Sequence, residues 1–270
     1  MVSNLTSRFI VAFAGIPVLL WCAWSGGYPL WGLVALLQIF MLLEWKQLLI
    51  KRGFALSIFR SIILLLALYA TVFHQAYPGL AGAAILFTAF WLISALFRED
   101  TNRFAAMGGE ILFIIYIAFP LILWPYLGSG QTTDRFSNAG ALVLLFAATW
   151  FCDSGAYFIG SLWGRHKLFE RASPKKTIEG AIGGLFFSAL PLVIIKLLKW
   201  GSPTPLDYVM LPLAVGVFGQ AGDLLESLFK REAGVKDSSR LLPGHGGLLD
   251  RFDSLLLSTP AFFAYLILIR

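Results

Sequence analysis

The sequence predicts an all-α, polytopic integral membrane protein with about nine transmembrane helices. Of its 270 residues, 58% are hydrophobic and only 13% are charged, whereas globular proteins carry about 25% charged residues. Long apolar runs recur along the whole chain, and most approach the length of about 20 residues that a helix needs to cross a bilayer. Turn-forming residues such as Gly26-Gly27 and Gly201-Ser202-Pro203 separate these runs.

The apolar runs place each predicted span. The spans are about 9–25, 29–49, 57–76, 79–97, 108–127, 138–160, 179–198, 205–228 and 254–270. They fall into three parts: 1–107 with the first spans, 108–178 with the middle spans and a first basic loop, and 179–270 with the last spans and a polar loop at 229–253. Small residues allow helices to pack closely in lipid. Gly180 and Gly184 in span seven, with Gly216, Gly219 and Gly222 in span eight, therefore predict that these two spans pack together.

Basic residues are concentrated on one side of the predicted membrane. The poorer side carries only Arg135, Lys196, Lys199 and Arg270. Because cytoplasmic loops are the ones rich in Lys and Arg, we expect the N-terminus and both polar loops (about 161–178 and 229–253) in the cytoplasm. The C-terminus is then outside, and a bacterial inner membrane is the expected location.

The charge and the cysteines restrict the partners. A net charge of +6 and a pI of 9.4 suit nucleic acid, anionic lipid or a polyanionic small substrate. We expect membrane lipid and a small polyanion, and no nucleic acid. Cys22 and Cys152 both fall in predicted spans, so neither a disulfide framework nor a cysteine metal site is predicted.

Acidic residues in or beside spans are costly in lipid and indicate function. They are Glu44, Glu110, Asp153, Asp223, Glu226, Asp250 and Asp253. The pairs Asp223/Glu226 and Asp250/Asp253 are three residues apart and share a helix face. Oxygen ligands of this kind suit Mg²⁺. For Glu44 and Glu110, a packing role and a functional role stay open.

The second polar loop combines these acids with basic residues and glycines. Its basic residues are Lys230, Arg231, Lys236, Arg240, His245 and Arg251. The run 243–247, which includes Gly246 and Gly247, lets backbone N–H groups approach a phosphate closely. Metal-binding acids interleaved with phosphate-binding bases are what phosphoryl or nucleotidyl transfer requires.

The first polar loop is also basic, with Arg165, Lys167, Lys175 and Lys176. Ser173 is predicted as an N-cap and Pro174 as the first helical residue, which would put both later lysines in the first turn of span seven. Cations there oppose the helix dipole. The loop therefore either binds an anionic substrate or contacts anionic headgroups as a solvated loop.

These motifs resemble the signature of the phosphatidate cytidylyltransferases (CDP-diacylglycerol synthases). The signature residues run in order through Ser227, Lys230-Arg231, Lys236-Asp237, His245-Gly246-Gly247 and Asp250-Arg251-Phe252-Asp253. Further similarity covers Cys152-Asp153-Ser154-Gly155-Ala156-Tyr157, Gly164-Arg165-His166-Lys167 and Ser173-Pro174-Lys175-Lys176-Thr177. The first half of the chain resembles the family only around Arg8 with Pro17 and around Glu44-Trp45 with Leu48.

The resemblance implies that CTP and phosphatidic acid react to give CDP-diacylglycerol and pyrophosphate with Mg²⁺, in a membrane enzyme that is often a homodimer. Asp223, Asp250 and Asp253 would be metal ligands, and Asp153 would serve a second cation or support the first. Catalytic or phosphate-binding roles would fall to Lys230, Arg231, Lys236, His245 and Arg251. Substrate contacts would come from Arg165, Lys167, Ser173, Lys175, Lys176, Gly246 and Gly247.

Two alternatives remain at this point. A CTP-dependent kinase of a lipid alcohol would transfer the γ-phosphate and release CDP instead of pyrophosphate. A cation channel or carrier would use the same carboxylates as an ion site, but it would have little need for the phosphate-binding bases of 229–253.

Overall fold

A computed structural model describes residues 4–73, 77, 79–97, 102–130, 135–136, 139–239, 241–242 and 246–269, with side chains from residue 13 onward. The helices are α1 (Asn4–Ser25), α2 (Gly27–Lys51), α3 (Ile58–Phe73), α4 (Gly79–Phe97), α5 (Arg103–Gly128), α6 (Gly140–Trp163), α7 (Ile178–Leu197), α8 (Asp207–Glu232) and α9 (Leu249–Leu268). Within these residues the only named strands are β1 (Lys167–Phe169) and β2 (Ser173–Thr177), which form one antiparallel hairpin. The all-α membrane class is therefore confirmed.

Each predicted span coincides with a helix of the described chain. Seven helices, α2 and α4 to α9, are long and apolar enough to cross a membrane. The apolar parts of α1 and α3, Phe13–Ser25 and Ile58–Phe73, are shorter, so the number of spans stays a prediction. The last helix begins at Leu249 rather than near residue 254. Asp250 and Asp253 consequently lie in its first two turns.

Three of the helices are irregular. A π-helical segment occupies Phe113–Ala118 in α5 and another occupies Leu213–Gly219 in α8. A turn before Pro191 separates the two halves of α7, Ile178–Phe187 and Leu190–Leu197. Such segments disturb the regular hydrogen-bond ladder and often occur near functional sites. Here the Tyr116 hydroxyl in α5 donates to the Gly222 carbonyl of α8 at 3.1 Å and ties two of these helices together.

Large aromatic side chains fill the centre of the bundle. Trp45, Trp124, Phe113, Phe146 and Phe262 are almost completely buried. A buried indole N–H needs a partner. The N–H of Trp45 donates to the Gly109 carbonyl at 3.0 Å, and that of Trp124 donates to Thr259 Oγ1 at 3.1 Å. These bonds join α2 to α5 and α5 to α9.

The predicted glycine contacts are made, but with different partners. A Cβ at Gly180 or Gly184 would lie within 2.8 Å of a carbonyl oxygen of α6, so this pair packs against α6 and not against α8. In α8, Gly216 contacts Leu185 of α7, whereas Gly222 lies against the Asp253 carbonyl of α9. The predicted packing of spans seven and eight is confirmed at Gly216 and Leu185, and the small residues also bring α6 and α9 against these two helices.

A satisfied charge cluster lies at the end of the bundle where α8 begins. Arg135 Nη1 donates to both oxygens of Asp207, at 2.9 and 3.0 Å. Asp207 also accepts from the Thr204 N–H at 2.6 Å and from the Tyr265 hydroxyl at 2.7 Å.

The contacts of Glu110 favour the packing role that the sequence left open, because this buried side chain accepts from Arg60 Nε at 3.1 Å and from Trp91 Nε1 at 2.7 Å.

Candidate active site

The first basic loop forms the β-hairpin, and it does not begin α7 as predicted. Lys167 is opposite Thr177 and Phe169 is opposite Ser173 across the hairpin. The helix begins only at Ile178, because Thr177 is its N-cap and Thr177 Oγ1 accepts from the Gly180 N–H at 3.2 Å. Lys175 and Lys176 are therefore strand residues, and the expected opposition between their charges and the helix dipole does not occur.

A cavity of about 320 Å³ lies between α6, the hairpin, α7 and α8. Its charged lining consists of Asp153, Asp223, Lys175 and Lys176. Lys176 forms an ion pair with Asp223, while the Asp153 side chain is exposed in the cavity lining. The cavity thus presents two carboxylates and two ammonium groups to one space, which suits a ligand with both phosphates and a bound cation.

A buried lysine, seven residues after Asp223 on α8, links α8 to α9. Lys230 Nζ lies 2.5 Å from Glu226 Oε2 and donates to Asp250 Oδ1 at 2.6 Å. Its side chain is only 10% exposed, so it is held inside the protein between two acids. Glu226 is fully buried, and its oxygens have no partner of hydrogen-bond geometry among the described residues. The predicted role of Lys230 as a phosphate contact stays a prediction, since its described partners are carboxylates.

Asp250 organises the second polar loop. Its Oδ2 accepts from the Ser238 N–H at 2.9 Å, from Ser238 Oγ at 2.9 Å and from the Gly247 N–H at 2.7 Å. Gly246 has φ of +82°, and a Cβ there would lie 2.6 Å from Asp250 Oδ2. Glycine is favoured in that conformation. The loop therefore turns closely around this carboxylate. His245 and Arg240, also predicted in this loop, lie outside the described residues.

Glu44 of α2 holds the same loop from the first half of the chain. Its carboxylate accepts from Ser239 Oγ at 2.7 Å and from the N–H groups of Leu248 and Leu249 at 2.9 and 2.8 Å. Ser238 Oγ is also 3.1 Å from Glu44 Oε2, so its single proton is shared between Glu44 and Asp250. The buried carboxylate thus satisfies N–H groups at the beginning of α9. Sequence reasoning left the role of Glu44 open and did not single out Ser238, because nothing local connects residues so far apart.

Three of the predicted metal-site carboxylates, Asp153, Asp223 and Asp253, lie on three helices that pack together. Asp253 of α9 interacts electrostatically with Asp223 of α8 and with Asp153 of α6. In the described part of the chain, no three His, Cys, Asp or Glu side chains form a ready metal cage. Mg²⁺ commonly uses one or two carboxylates, with substrate phosphates and water as its other ligands. Asp223 together with either Asp153 or Asp253 would supply such a pair of carboxylates.

The other predicted basic residues that the structure describes are not among the residues that line this cavity. Arg231 connects the two loops, because its Nε donates to the Ala172 carbonyl at 3.4 Å and its Nη1 to the Val235 carbonyl at 3.3 Å. Lys167 Nζ donates to the Pro174 carbonyl at 2.7 Å and stabilises the hairpin. Arg165, Lys236 and Arg251 are exposed. Ser173 is half-buried in β2, and Gly247 is buried beside Ser238.

Comparison with known proteins places the chain in a family. Residues 6–269 match the model of the cytidylyltransferase family. A phosphatidate cytidylyltransferase of Staphylococcus aureus (strain COL) is 34% identical over 257 residues, covering 83% of this chain and 95% of the relative. The phosphatidate cytidylyltransferase of Staphylococcus haemolyticus is 42% identical over 163 residues, or 59% of each chain. A third relative of that name, from Staphylococcus epidermidis, is 34% identical over 254 residues. The chain therefore belongs to the cytidylyltransferase family.

Proposed function

We propose that this protein is a phosphatidate cytidylyltransferase, which converts CTP and phosphatidic acid into CDP-diacylglycerol and pyrophosphate. The observation that carries the proposal is the mixed charge of the 320 Å³ cavity, in which Asp153 and Asp223 face the same space as Lys175 and Lys176. The names of the relatives, at 34–42% identity, support the same reaction. This reaction is a step of phospholipid biosynthesis, and the protein that catalyses it is a transferase.

The basic residues around the cavity suit the triphosphate of CTP. Lys175 and Lys176 line the cavity directly, and Lys176 forms an ion pair with Asp223. The exposed side chains of Lys236 and Arg251 are free to turn toward a polyanion. Lys and Arg neutralise phosphate oxygens, and Arg can do so with two parallel N–H groups. We assign the departing pyrophosphate to these groups, with Gly246 and His245 as further donors; Gly247 would join them only if its N–H left Asp250.

An apolar cavity next to the charged one suits the lipid substrate. It has a volume of about 350 Å³, lies between α7 and α8, and is lined by apolar side chains such as Ile182, Leu185 and Val217. Ala181 and Gln220 line both cavities. Phosphatidic acid would therefore place its chains between the two helices and its phosphate among the charged groups.

In the proposed reaction, the phosphate oxygen of phosphatidic acid attacks the α-phosphorus of CTP in line. A new P–O bond forms while the bond to the β-phosphate breaks and pyrophosphate leaves. A phosphate monoester has a second pKa of about 6 and is largely ionised at pH 7, so no strong general base is needed. Two anions must meet, and the Lys and Arg side chains lower the barrier by offsetting their charge.

Mg²⁺ is the proposed cofactor, and its ligands would be drawn from Asp223, Asp250 and Asp253. Asp153 is the candidate for a second cation. When bound, Mg²⁺ would offset phosphate charge and polarise the phosphoryl group under attack. Asp250 Oδ1 accepts one described hydrogen bond, from Lys230, and a carboxylate oxygen has room for a second partner.

The decisive experiment measures pyrophosphate release by the purified protein in detergent with CTP, phosphatidic acid and Mg²⁺. We expect release to need both substrates and to fall by about 10²-fold or more in Asp223→Asn, the size of loss typical for a removed transition-state contact. Glu232→Gln is the matched control, because this acid lies on the same helix but its side chain is 54% exposed. Its ion pair with Arg52 is long, at 4.0 Å. Release of CDP instead of pyrophosphate would replace the proposal with the lipid kinase.

We also propose a membrane location, an orientation and an oligomeric state for the protein. We place the protein in a bacterial inner membrane with its N-terminus and active site in the cytoplasm and its C-terminus outside, as the Lys and Arg distribution favours. We further propose a homodimer that has no nucleic-acid partner. Protease accessibility in vesicles of known orientation and the mass of the detergent-purified particle measure these two properties.

A further inference from the structure

An apolar cavity of about 460 Å³ lies at the end of the bundle away from the candidate active site. Val143, Leu144 and Ala147 of α6 line one wall, and Ile194 and Ile195 of α7 line another. Asp153, which lines the active-site cavity, is further along α6. The volume falls within the range of about 300–1,000 Å³ that is usual for small-ligand pockets.

The mouth of this cavity opens among exposed apolar side chains. Trp24 of α1 and Trp200, which follows α7, both line it, and they are 73% and 67% exposed. In a membrane protein such an opening faces acyl chains rather than water. Tryptophans are favoured at the headgroup level, where a ring is partly in lipid and its N–H reaches polar groups. The cavity therefore has the form of a slot for a lipid tail whose headgroup lies beside the tryptophans.

Positive charge is placed at the same mouth. Lys199 lines the cavity and Lys196 lies one turn earlier, and both side chains are exposed. Neither makes an ion pair with any residue that the structure describes. A basic residue in the last turn of a helix offsets the helix dipole, which accounts for Lys196. It does not account for Lys199, which lies beyond the end of α7.

The backbone at Lys199 supports a functional reason for this lysine. Lys199 has φ of +58° and is the only non-glycine residue of the described chain with positive φ. Glycine is the usual residue at such a helix end. The turn is held in place, because Trp200 N–H donates to the Ile195 carbonyl at 3.0 Å and Ser202 N–H donates to the Arg135 carbonyl at 2.9 Å. Strain of this kind persists where the surroundings enforce it and often marks a site.

We propose that this cavity binds an anionic phospholipid from the leaflet opposite the active site. One acyl chain occupies the slot between α6 and α7, and the lipid phosphate pairs with Lys199 and Lys196 beside Trp200. The charge at the rim selects an anionic headgroup over a zwitterionic one. This site shares no lining residue with the proposed substrate site, although its lining reaches Phe151, two residues before Asp153, and its occupant is not consumed.

The test measures thermal unfolding of the purified full-length chain in detergent with added phosphatidylglycerol or phosphatidylcholine of the same chain length. We expect phosphatidylglycerol to raise the Tm by about 2–4 °C, which is the shift typical of modest stabilisation in a chain of this size, and phosphatidylcholine to have little effect. In Lys199→Gly the shift should disappear while the Tm without lipid is unchanged or higher, because glycine relieves the positive φ.

Two further variants complete the test. Lys51→Ala is the matched control, since Lys51 is an exposed lysine at the other end of the bundle and should keep the full shift. Ala147→Phe fills the cavity and should lose it. The proposal is overturned if Lys199→Gly keeps the full shift, if both lipids stabilise equally, if inorganic phosphate alone reproduces the shift, or if Ala147→Phe alters the oligomeric mass instead.

Discussion

Both ends of the helical bundle contain buried charge, but only one end balances it. At the end where α8 begins, Asp207 receives donors from Arg135, Thr204 and Tyr265. At the candidate active site, Lys176 and Lys230 are the only described ion-pair partners of Asp223, Glu226 and Asp250, and the half-buried Asp253 has none among the described residues. Unpaired charge is costly to bury. The comparison indicates that the first cluster stabilises the fold, whereas the second is completed by ligands.

Removal of divalent cations should have the largest effect and should act on the active-site end alone. If excess carboxylate is offset by Mg²⁺, chelation with EDTA should abolish pyrophosphate release, and added Mg²⁺ should restore it. Release and Tm are measured on the same sample. The comparison fails if EDTA leaves release intact, or if activity lost to EDTA cannot be recovered in a protein that is still folded.

Loss of Lys230 should be the most damaging single substitution for stability. Lys230→Met leaves Glu226 and Asp250 buried without their shared cation, and breaking a buried pair in this way costs about 3–5 kcal/mol. Pyrophosphate release should fall with it. Thermal unfolding in detergent gives the loss, and Arg135→Met is the matched variant at the other end. That variant should retain the activity of its folded fraction, because the Thr204 and Tyr265 donors to Asp207 remain; equal inactivation by both changes would contradict the comparison.

Glu44→Gln should have an intermediate effect on both stability and activity. The amide keeps one acceptor oxygen but turns an N–H₂ group toward donors such as the Leu249 N–H, and an unsatisfied buried donor costs about 1–3 kcal/mol. Since Ser238 contacts both Glu44 and Asp250, we expect kcat to fall by about tenfold, corresponding to roughly 1.4 kcal/mol, with less change in the KM for CTP. A change confined to Tm would limit Glu44 to a structural role.

The smallest predicted effect concerns the beginning of α7. Thr177→Val keeps the shape of the side chain but removes the hydroxyl that accepts from Gly180 N–H. Loss of an N-cap costs about 1 kcal/mol, which thermal unfolding should detect as a small decrease. Thr177→Ser keeps the cap and serves as the control. If Thr177→Val inactivates the enzyme completely, Thr177 contacts the substrate, and a capping role alone is insufficient.

The sequence predicts helices well here because apolar length is a local property. All nine predicted runs coincide with helices of the described chain, and the errors are at ends, such as the beginning of the last helix at Leu249. The hairpin was mispredicted for a local reason as well: Ser173-Pro174 is a good helix beginning, but Thr177 is a second N-cap nearer to the apolar run, and strand pairing with Lys167 decides between them.

The candidate site was predictable in composition but not in connection. Motif spacing predicted Asp223, Lys230, Asp250 and Asp253 in one site; the structure brings Lys230 to Asp250, and the roles of all four stay predictions. Motif spacing did not show that Lys230 would join Glu226 to Asp250. A lysine that binds phosphate and a lysine that pairs with carboxylates can have the same position in the sequence. Partners such as Glu44 and Ser238 depend on how distant helices pack, and that packing follows from long-range contacts which no local pattern contains.

The contact between Glu44 and the beginning of α9 also bears on how the enzyme is assembled. Leu248 follows Glu44 by 204 positions, so the acceptor is synthesised and inserted into the membrane long before its donors. The loop 229–253 forms its bonds to Glu44 only after α2 has been inserted. A chain shortened to 108–270 would keep every signature residue and still lack this template, so the early helices serve as a scaffold on which the later ones complete the enzyme.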